Sequence, residues 1–112
     1  MNGLTVRWSL VDAAPGTLDE LAAYVESTSY ARFTGMSNLH IKTWRAVPGE
    51  WFEGCYVFVS DEARAEFQES FSAEADTAPG SKIVGSPPVL IEACEIVATA
   101  EGWDGFVARP RF

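Results

Sequence analysis

The stretch Asn38-Leu39-His40-Ile41-Lys42-Thr43-Trp44-Arg45-Ala46-Val47-Pro48-Gly49-Glu50-Trp51-Phe52-Glu53-Gly54-Cys55-Tyr56-Val57-Phe58-Val59-Ser60 decides the fold. Pro48 and Gly49 suit the central positions of a type II turn, proline by its fixed φ and glycine by its tolerance of positive φ. The flanks are rich in aromatic and β-branched residues. They read as two strands, Asn38 to Val47 and Trp51 to Ser60, joined in a hairpin. In the first arm, period-2 spacing places Asn38, His40, Lys42 and Trp44 on one face. In the second arm both faces are apolar: Phe52, Tyr56 and Phe58 oppose Cys55, Val57 and Val59.

Working outward, Leu4 to Val11 alternates Leu4, Val6, Trp8 and Leu10 against Thr5, Arg7 and Ser9, the pattern of a strand with one apolar face. Thr17-Leu18-Asp19-Glu20 has the form of a capping box. Leu18, Leu21, Ala22 and Val25 then keep helical spacing, which predicts an amphipathic helix to about Arg32. After the hairpin, Ser60-Asp61-Glu62 combines an N-cap with acids in the first turn, where the helix dipole favours them. Ala63, Phe67 and Phe71 mark that helix's buried stripe. Val89 to Thr99 reads as the last strand.

The order β-α-β-β-α-β is that of a ferredoxin-like α+β domain: one antiparallel sheet in the order 4-1-3-2, with both helices on one face. Residues 1–100 make up this domain, and 101–112 form a tail carrying Trp103, Phe106 and Phe112. Cys55 falls on the third strand and Cys94 on the fourth. The first strand lies between them, a separation of about 9–10 Å, and a disulfide spans less than about 7 Å. Two free thiols are expected.

Composition narrows the function. A 112-residue chain of 47% hydrophobic and 21% charged residues is a single globular domain. Its net charge of −8 argues against nucleic acid and against an anionic membrane surface. No apolar run approaches the roughly 18 residues of a membrane span, and the N-terminus lacks the layout of a signal peptide. The expectation is a cytoplasmic protein. One histidine and two cysteines offer no metal-ligand spacing. Nucleophile elbows and phosphate loops are absent, and Glu92 and Glu95 fall on opposite strand faces.

Two features remain. Helices cover one sheet face only, yet the third and fourth strands are apolar on both. The second face, to which Phe52 and Phe58 are assigned, is therefore expected to pack against a second copy in a homodimer, with the tail reaching onto the partner. A monomer whose tail folds over its own sheet is the alternative. The other feature is the row Asn38, His40, Lys42 and Trp44. With Trp8 from the first strand and Tyr56 from the third, it could line a cavity for a flat, partly polar ligand. His40 would then be the natural general base. The same row also suits a sheet edge shielded from aggregation, and the second strand is an edge in this order.

The run Lys42-Thr43-Trp44, then Gly54-Cys55-Tyr56-Val57-Phe58, then Ser60-Asp61-Glu62 and Ala65 resembles the YdhR-type monooxygenase family of the dimeric α/β-barrel superfamily. The likeness spans about residues 3–100. It implies a ferredoxin-like protomer, a homodimer whose two sheets form a barrel, and an oxygenase that uses no metal, flavin or haem. The implied substrate is a small or polycyclic aromatic, quinol- or anthrone-like, held between sheet and helices. Trp44, Tyr56 and Lys42 match family positions and would be pocket residues. Asn38 stands where the family pattern has glycine, and His40 where it has an apolar residue. A non-catalytic small-molecule-binding dimer, or a haem-binding relative using His40, is the alternative function on the same scaffold.

Overall fold

The computed structural model describes residues 1–109. Four strands, β1 (Gly3–Ser9), β2 (Leu39–Val47), β3 (Trp51–Phe58) and β4 (Leu90–Cys94), form one antiparallel sheet in the order β2-β3-β1-β4. This is the order expected from the sequence. The β2–β3 turn closes through the Glu50 N–H donating to the Val47 carbonyl at 2.9 Å, with Gly49 at φ +76°. Between β1 and β2 run α1 (Thr17–Tyr24), a π-helical turn (Val25–Ser29) and α2 (Tyr30–Phe33). Between β3 and β4 run α3 (Asp61–Ala73), a 3-10 turn (Ala75–Thr77) and α4 (Pro79–Val84). The fold class is α+β, and no described helix is long and apolar enough to cross a membrane.

Register fixes which side chains share the core face. Leu4 lies opposite Tyr56, Val6 opposite Gly54 and Trp8 opposite Phe52, while Lys42 and Trp44 continue the first two rows onto β2. Directly opposed residues of an antiparallel pair point to the same side. Leu21, Val25, Phe33 and Val84 close over this face from the helices. Leu4, Val6 and Leu21 are the most deeply buried apolar side chains, and truncating any of them to alanine costs about 2–5 kcal/mol. Phe52 and Phe58 belong to this same core. Their assignment to the second sheet face is corrected: even-numbered β3 residues all turn toward the helices, beside Tyr56.

Three local expectations also change. The N-cap of α1 is Gly16 at φ +85°, and Thr17 donates its hydroxyl backward to the Ala14 carbonyl at 2.6 Å, so no capping box forms. The cap of α3 is as expected, with Ser60 Oγ accepting from the Ala63 N–H at 3.1 Å. β4 stops at Cys94 rather than Thr99. Cys94 lies opposite Gly3, where β1 begins, so later residues have no strand to pair with. The unforeseen helix α4 starts with Pro79 at its first position, where a missing N–H does no harm, and ends at Gly85 with φ +89°. Its Gly80 is required by close approach: a Cβ there would stand 2.9 Å from the Trp8 ring.

The second face of the sheet is open among the described residues. Cys55, Val57, Ile41, Leu90 and Cys94 are half-buried on it, and Val59 is exposed. At its centre Glu53 is completely covered, held by Arg7 Nε at 2.9 Å and Arg45 Nε at 2.6 Å. Arg7 also stacks on the Trp51 ring, 4.3 Å from its centroid. Both cysteines are free thiols, and burial pushes the Cys55 thiol up. Beyond β4 the chain has no regular structure, and Val97, Trp103, Phe106 and Val107 are exposed. Phe112 of the expected tail lies outside the described residues.

Candidate functional site: an aromatic pocket around Lys42

The site begins with an irregularity in β2. Leu39 pairs with Phe58 and Ile41 with Val57, so the strand carries one residue more than its partner between them. That residue is His40. A bulge of this kind breaks the alternation of side chains. Leu39 and Lys42 therefore both reach the core face, and His40 is exposed. Asn38 sits before the bulge at φ +68°, exposed, in a left-handed turn conformation that asparagine tolerates. The expected four-residue row is corrected accordingly: Lys42 and Trp44 share the core face, and Asn38 and His40 do not join them.

Lys42 turns inward under the helices. Its Nζ lies 3.5 Å from the Phe33 ring centroid, 4.3 Å from that of Tyr56 and 4.5 Å from that of Trp44. Phe33 meets Trp44 and Tyr56 edge to face, with centroids 5.9 and 5.7 Å apart, so the three rings brace one another. Such ring contacts favour an ammonium by about 0.5–2 kcal/mol in all. Among the described residues, however, Lys42 makes no salt bridge and no hydrogen bond. Burial, and then the nearby Arg32 guanidinium, hold its pKa well below the ordinary lysine value. Burial of an uncompensated charge is the larger effect, because desolvation moves buried lysines by several pKa units.

A cavity of about 60 Å³ adjoins the amine, lined by Trp8, Phe33, Lys42, Trp44 and Tyr56 together with helix residues that include Ser29 and Arg32. A second cleft of about 190 Å³ shares Arg32, Phe67, Phe71, Ala78 and Pro79 with it and leads outward past Glu74. The inner cavity has the volume of about two water molecules, so an aromatic ring requires the adjoining cleft as well. The inner wall contains two cations and no carboxylate, in a chain whose net charge is −8. The nearest acid of the site is Glu74, in the outer cleft.

Gly54 opens the floor of the cavity. A Cβ at this position would stand 3.1 Å from Lys42 Cε and 3.4 Å from Tyr56 Oη. A glycine inside a strand commonly marks such a close approach. The Tyr56 hydroxyl accepts and donates no hydrogen bond within the described residues. Burial pushes its phenol far above the usual tyrosine range, with Arg32 opposing weakly. It stays protonated and can donate to an incoming oxygen. Trp8 offers only its ring, because its Nε1 donates to Ser81 Oγ at 3.0 Å and Ser81 donates onward to the Ala75 carbonyl at 2.6 Å.

The roof is the π-helical turn. The Tyr30 N–H donates to the Val25 carbonyl five residues back. Val25, Ser29 and Phe33 share the face of this segment that meets the sheet, and all three are buried. Isolated π turns recur at functional sites. Sequence reasoning reached Trp8, Lys42, Trp44 and Tyr56, which the fold brings together. It missed Ser29, Arg32, Phe33 and Gly54. Gly54 alone carried a readable signal, as a glycine in the middle of a strand. The pocket wall contains neither histidine nor cysteine. No protein-family model, curated protein or solved structure matches the chain.

Proposed function

We propose that this pocket binds a small aromatic molecule bearing an ionisable oxygen, and that the protein is a cofactor-independent monooxygenase for it, on a ferredoxin-like protomer. The observation that carries the reading is a lysine amine without a counter-ion among the described residues, enclosed by Phe33, Trp44 and Tyr56 and facing a cavity whose wall has no carboxylate. A neutral amine takes the proton of a phenol or of an activated CH₂ group. The resulting ammonium and the Tyr56 hydroxyl then hold the anion in a dry site, where such contacts are strongest. The anion is electron-rich enough to reduce O₂ directly. One oxygen atom enters at the activated carbon and the second leaves as water: at a CH₂ group the carbon gives up both hydrogens and becomes a carbonyl, and in a quinol one hydrogen comes from the ring carbon and one from a hydroxyl, giving a hydroxyquinone. Single-ring quinols and phenols suit the volumes better than tricyclic anthrones, which need the helices to move apart. His40 has no part in this scheme.

The same reading includes a homodimer. Half-buried Cys55, Val57, Ile41 and Leu90 on the open sheet face, and exposed Trp103 and Phe106 beyond it, support a second copy as the covering layer. The Arg7–Glu53–Arg45 cluster at its centre is already internally paired, so apposition buries no new charge there, and exposed Glu92 on the same face would take a partner across the interface. Sedimentation velocity tests this. A dimer in the wild type that Val57→Glu dissociates is expected, and a wild-type monomer would refute it.

Oxygen uptake with single-ring quinols tests the chemistry. The wild type should consume O₂, Lys42→Met should lose about 10²–10⁴-fold, and His40→Ala should be unaffected. If such compounds bind in the pocket and no oxygen is consumed, the oxygenase reading fails and a binding module remains. Equal loss in His40→Ala would overturn the site assignment.

A further inference from the structure

We propose that Lys42 is a nucleophilic amine that forms an imine with small aromatic aldehydes or ketones, which makes carbonyl compounds a second ligand class of this pocket. The inference rests on the pocket taking aromatic molecules but not on oxygen chemistry. Three observations carry it. The Nζ is surrounded by ring faces and, among the described residues, has no carboxylate to hold it as an ammonium. The groups facing it from the neighbouring elements are Arg32 and Tyr24 from the helices and Tyr56 from β3, with the Cys55 thiol on the opposite sheet face. Of these only Arg32 is charged at neutral pH, and its sign opposes protonation of the amine. The Tyr56 hydroxyl and Lys42 Cε flank the same open floor over Gly54, so a carbonyl beside the amine finds a donor for its oxygen.

The chemistry balances without any external reagent. The nitrogen lone pair forms a bond to the carbonyl carbon, and the C=O π pair moves to oxygen under the Tyr56 O–H. A proton passes from nitrogen to that oxygen, giving a carbinolamine. The hydroxyl then takes a proton from the Tyr56 O–H and leaves as water while the nitrogen lone pair closes the C=N bond, and the remaining N–H proton returns to the Tyr56 oxygen, leaving a neutral imine. One water is released for each imine formed, and nothing is oxidised or reduced. Lysines desolvated in apolar pockets or placed next to another cation are activated for this reaction.

The chain's other amines serve as internal controls. Lys82 is exposed, and the N-terminal amine contacts Asp61 and Glu95. The full-length protein is incubated at neutral pH with benzaldehyde and cyanoborohydride, which reduces the imine to a stable benzylamine, and the site is mapped by peptide mass spectrometry. Labelling at Lys42 at least about tenfold faster than at exposed Lys82 is expected, because the ring-enclosed amine has, among the described residues, no carboxylate to hold it as an ammonium. Its rate should level off at a pH below the ordinary lysine value. Tyr56→Phe should slow Lys42 several-fold and leave Lys82 unchanged. Labelling of Lys82 as fast as Lys42, or a Lys42 rate that still climbs through the ordinary lysine value, would overturn the proposal. So would an unlabelled Lys42 in a protein that still binds phenols, and that result would leave the proposed function standing. Labelled Lys42 without oxygen uptake supports the imine and refutes only the oxygenase.

Discussion

Replacing Lys42 by methionine should stabilise the protein at neutral pH. Methionine keeps the length and most of the volume of the side chain and removes the charge. The substitution loses the three ring contacts to the ammonium, worth about 0.5–2 kcal/mol. It also removes the cost of burying the amine, met either by desolvating the ammonium or by giving up its proton, which is the larger quantity. A net gain of about 1–3 kcal/mol is expected, or roughly 4 °C in Tm for each kcal/mol in a domain of this size. The pH dependence makes the test sharper. The fold holds the Lys42 pKa below its unfolded value, which is about 10.4. Between the folded value and about 10.4 the unfolded chain binds a proton that the fold lacks, so wild-type stability rises with pH by up to about 1.4 kcal/mol per unit. The advantage of Lys42→Met should therefore shrink as pH rises. Tyr56 acts in the opposite sense only when its phenol begins to ionise in the unfolded chain, at about pH 10. Urea unfolding followed by tryptophan fluorescence at about pH 7, 8 and 9 isolates the lysine, because the wild-type minus variant difference cancels groups common to both. A variant less stable than wild type at neutral pH, or a difference that does not change with pH, would refute the assignment of Lys42 as an uncompensated buried amine.

Further outcomes follow from single contacts. Ser81→Ala leaves the buried Trp8 Nε1–H without an acceptor and should cost about 1–3 kcal/mol in denaturant unfolding. Glu53→Gln removes the charge between Arg7 and Arg45. Desolvation raises the Glu53 pKa, but the hydrogen bonds and charges of Arg7 and Arg45 outweigh it and hold the carboxyl below its usual value. Its stabilisation is therefore present above the ordinary glutamate range and lost on acidification through the folded value, and Glu53→Gln should flatten the acid limb of the stability curve. Gly54→Ala places a Cβ 3.1 Å from Lys42 Cε, the movable end of a flexible chain. It should change stability by less than about 1 kcal/mol while weakening phenol binding measured by calorimetry.

The hairpin was legible because Pro48-Gly49 has one conformational meaning and its arms are long. The strand order followed from the sequence of elements. The bulge was not legible, since alternation assumes one residue per step and nothing in Leu39-His40-Ile41 announces an unpaired residue. His40 drew attention as the only histidine, and the bulge sends it to solvent. The π turn was equally hidden: Leu18, Leu21 and Val25 fit an ordinary helix, and the shift appears only in where Ser29 and Phe33 arrive. Helix α4 was concealed by the apparent turn signal Ala78-Pro79-Gly80, in which proline in fact begins a helix. The Arg7–Glu53–Arg45 cluster could have been found once the order 4-1-3-2 was set, because the register places an acid directly between two bases on adjacent strands.

The account stands most directly on what Lys42 and Tyr56 do to an aromatic oxygen. A crystal structure of the protein with a single-ring phenol bound measures this. The ring should lie in the cleft bounded by Phe67, Phe71 and Pro79, with its oxygen within hydrogen-bonding distance of both Lys42 Nζ and Tyr56 Oη. A phenol held elsewhere, or one in this pocket with its oxygen turned away from Lys42, would contradict it.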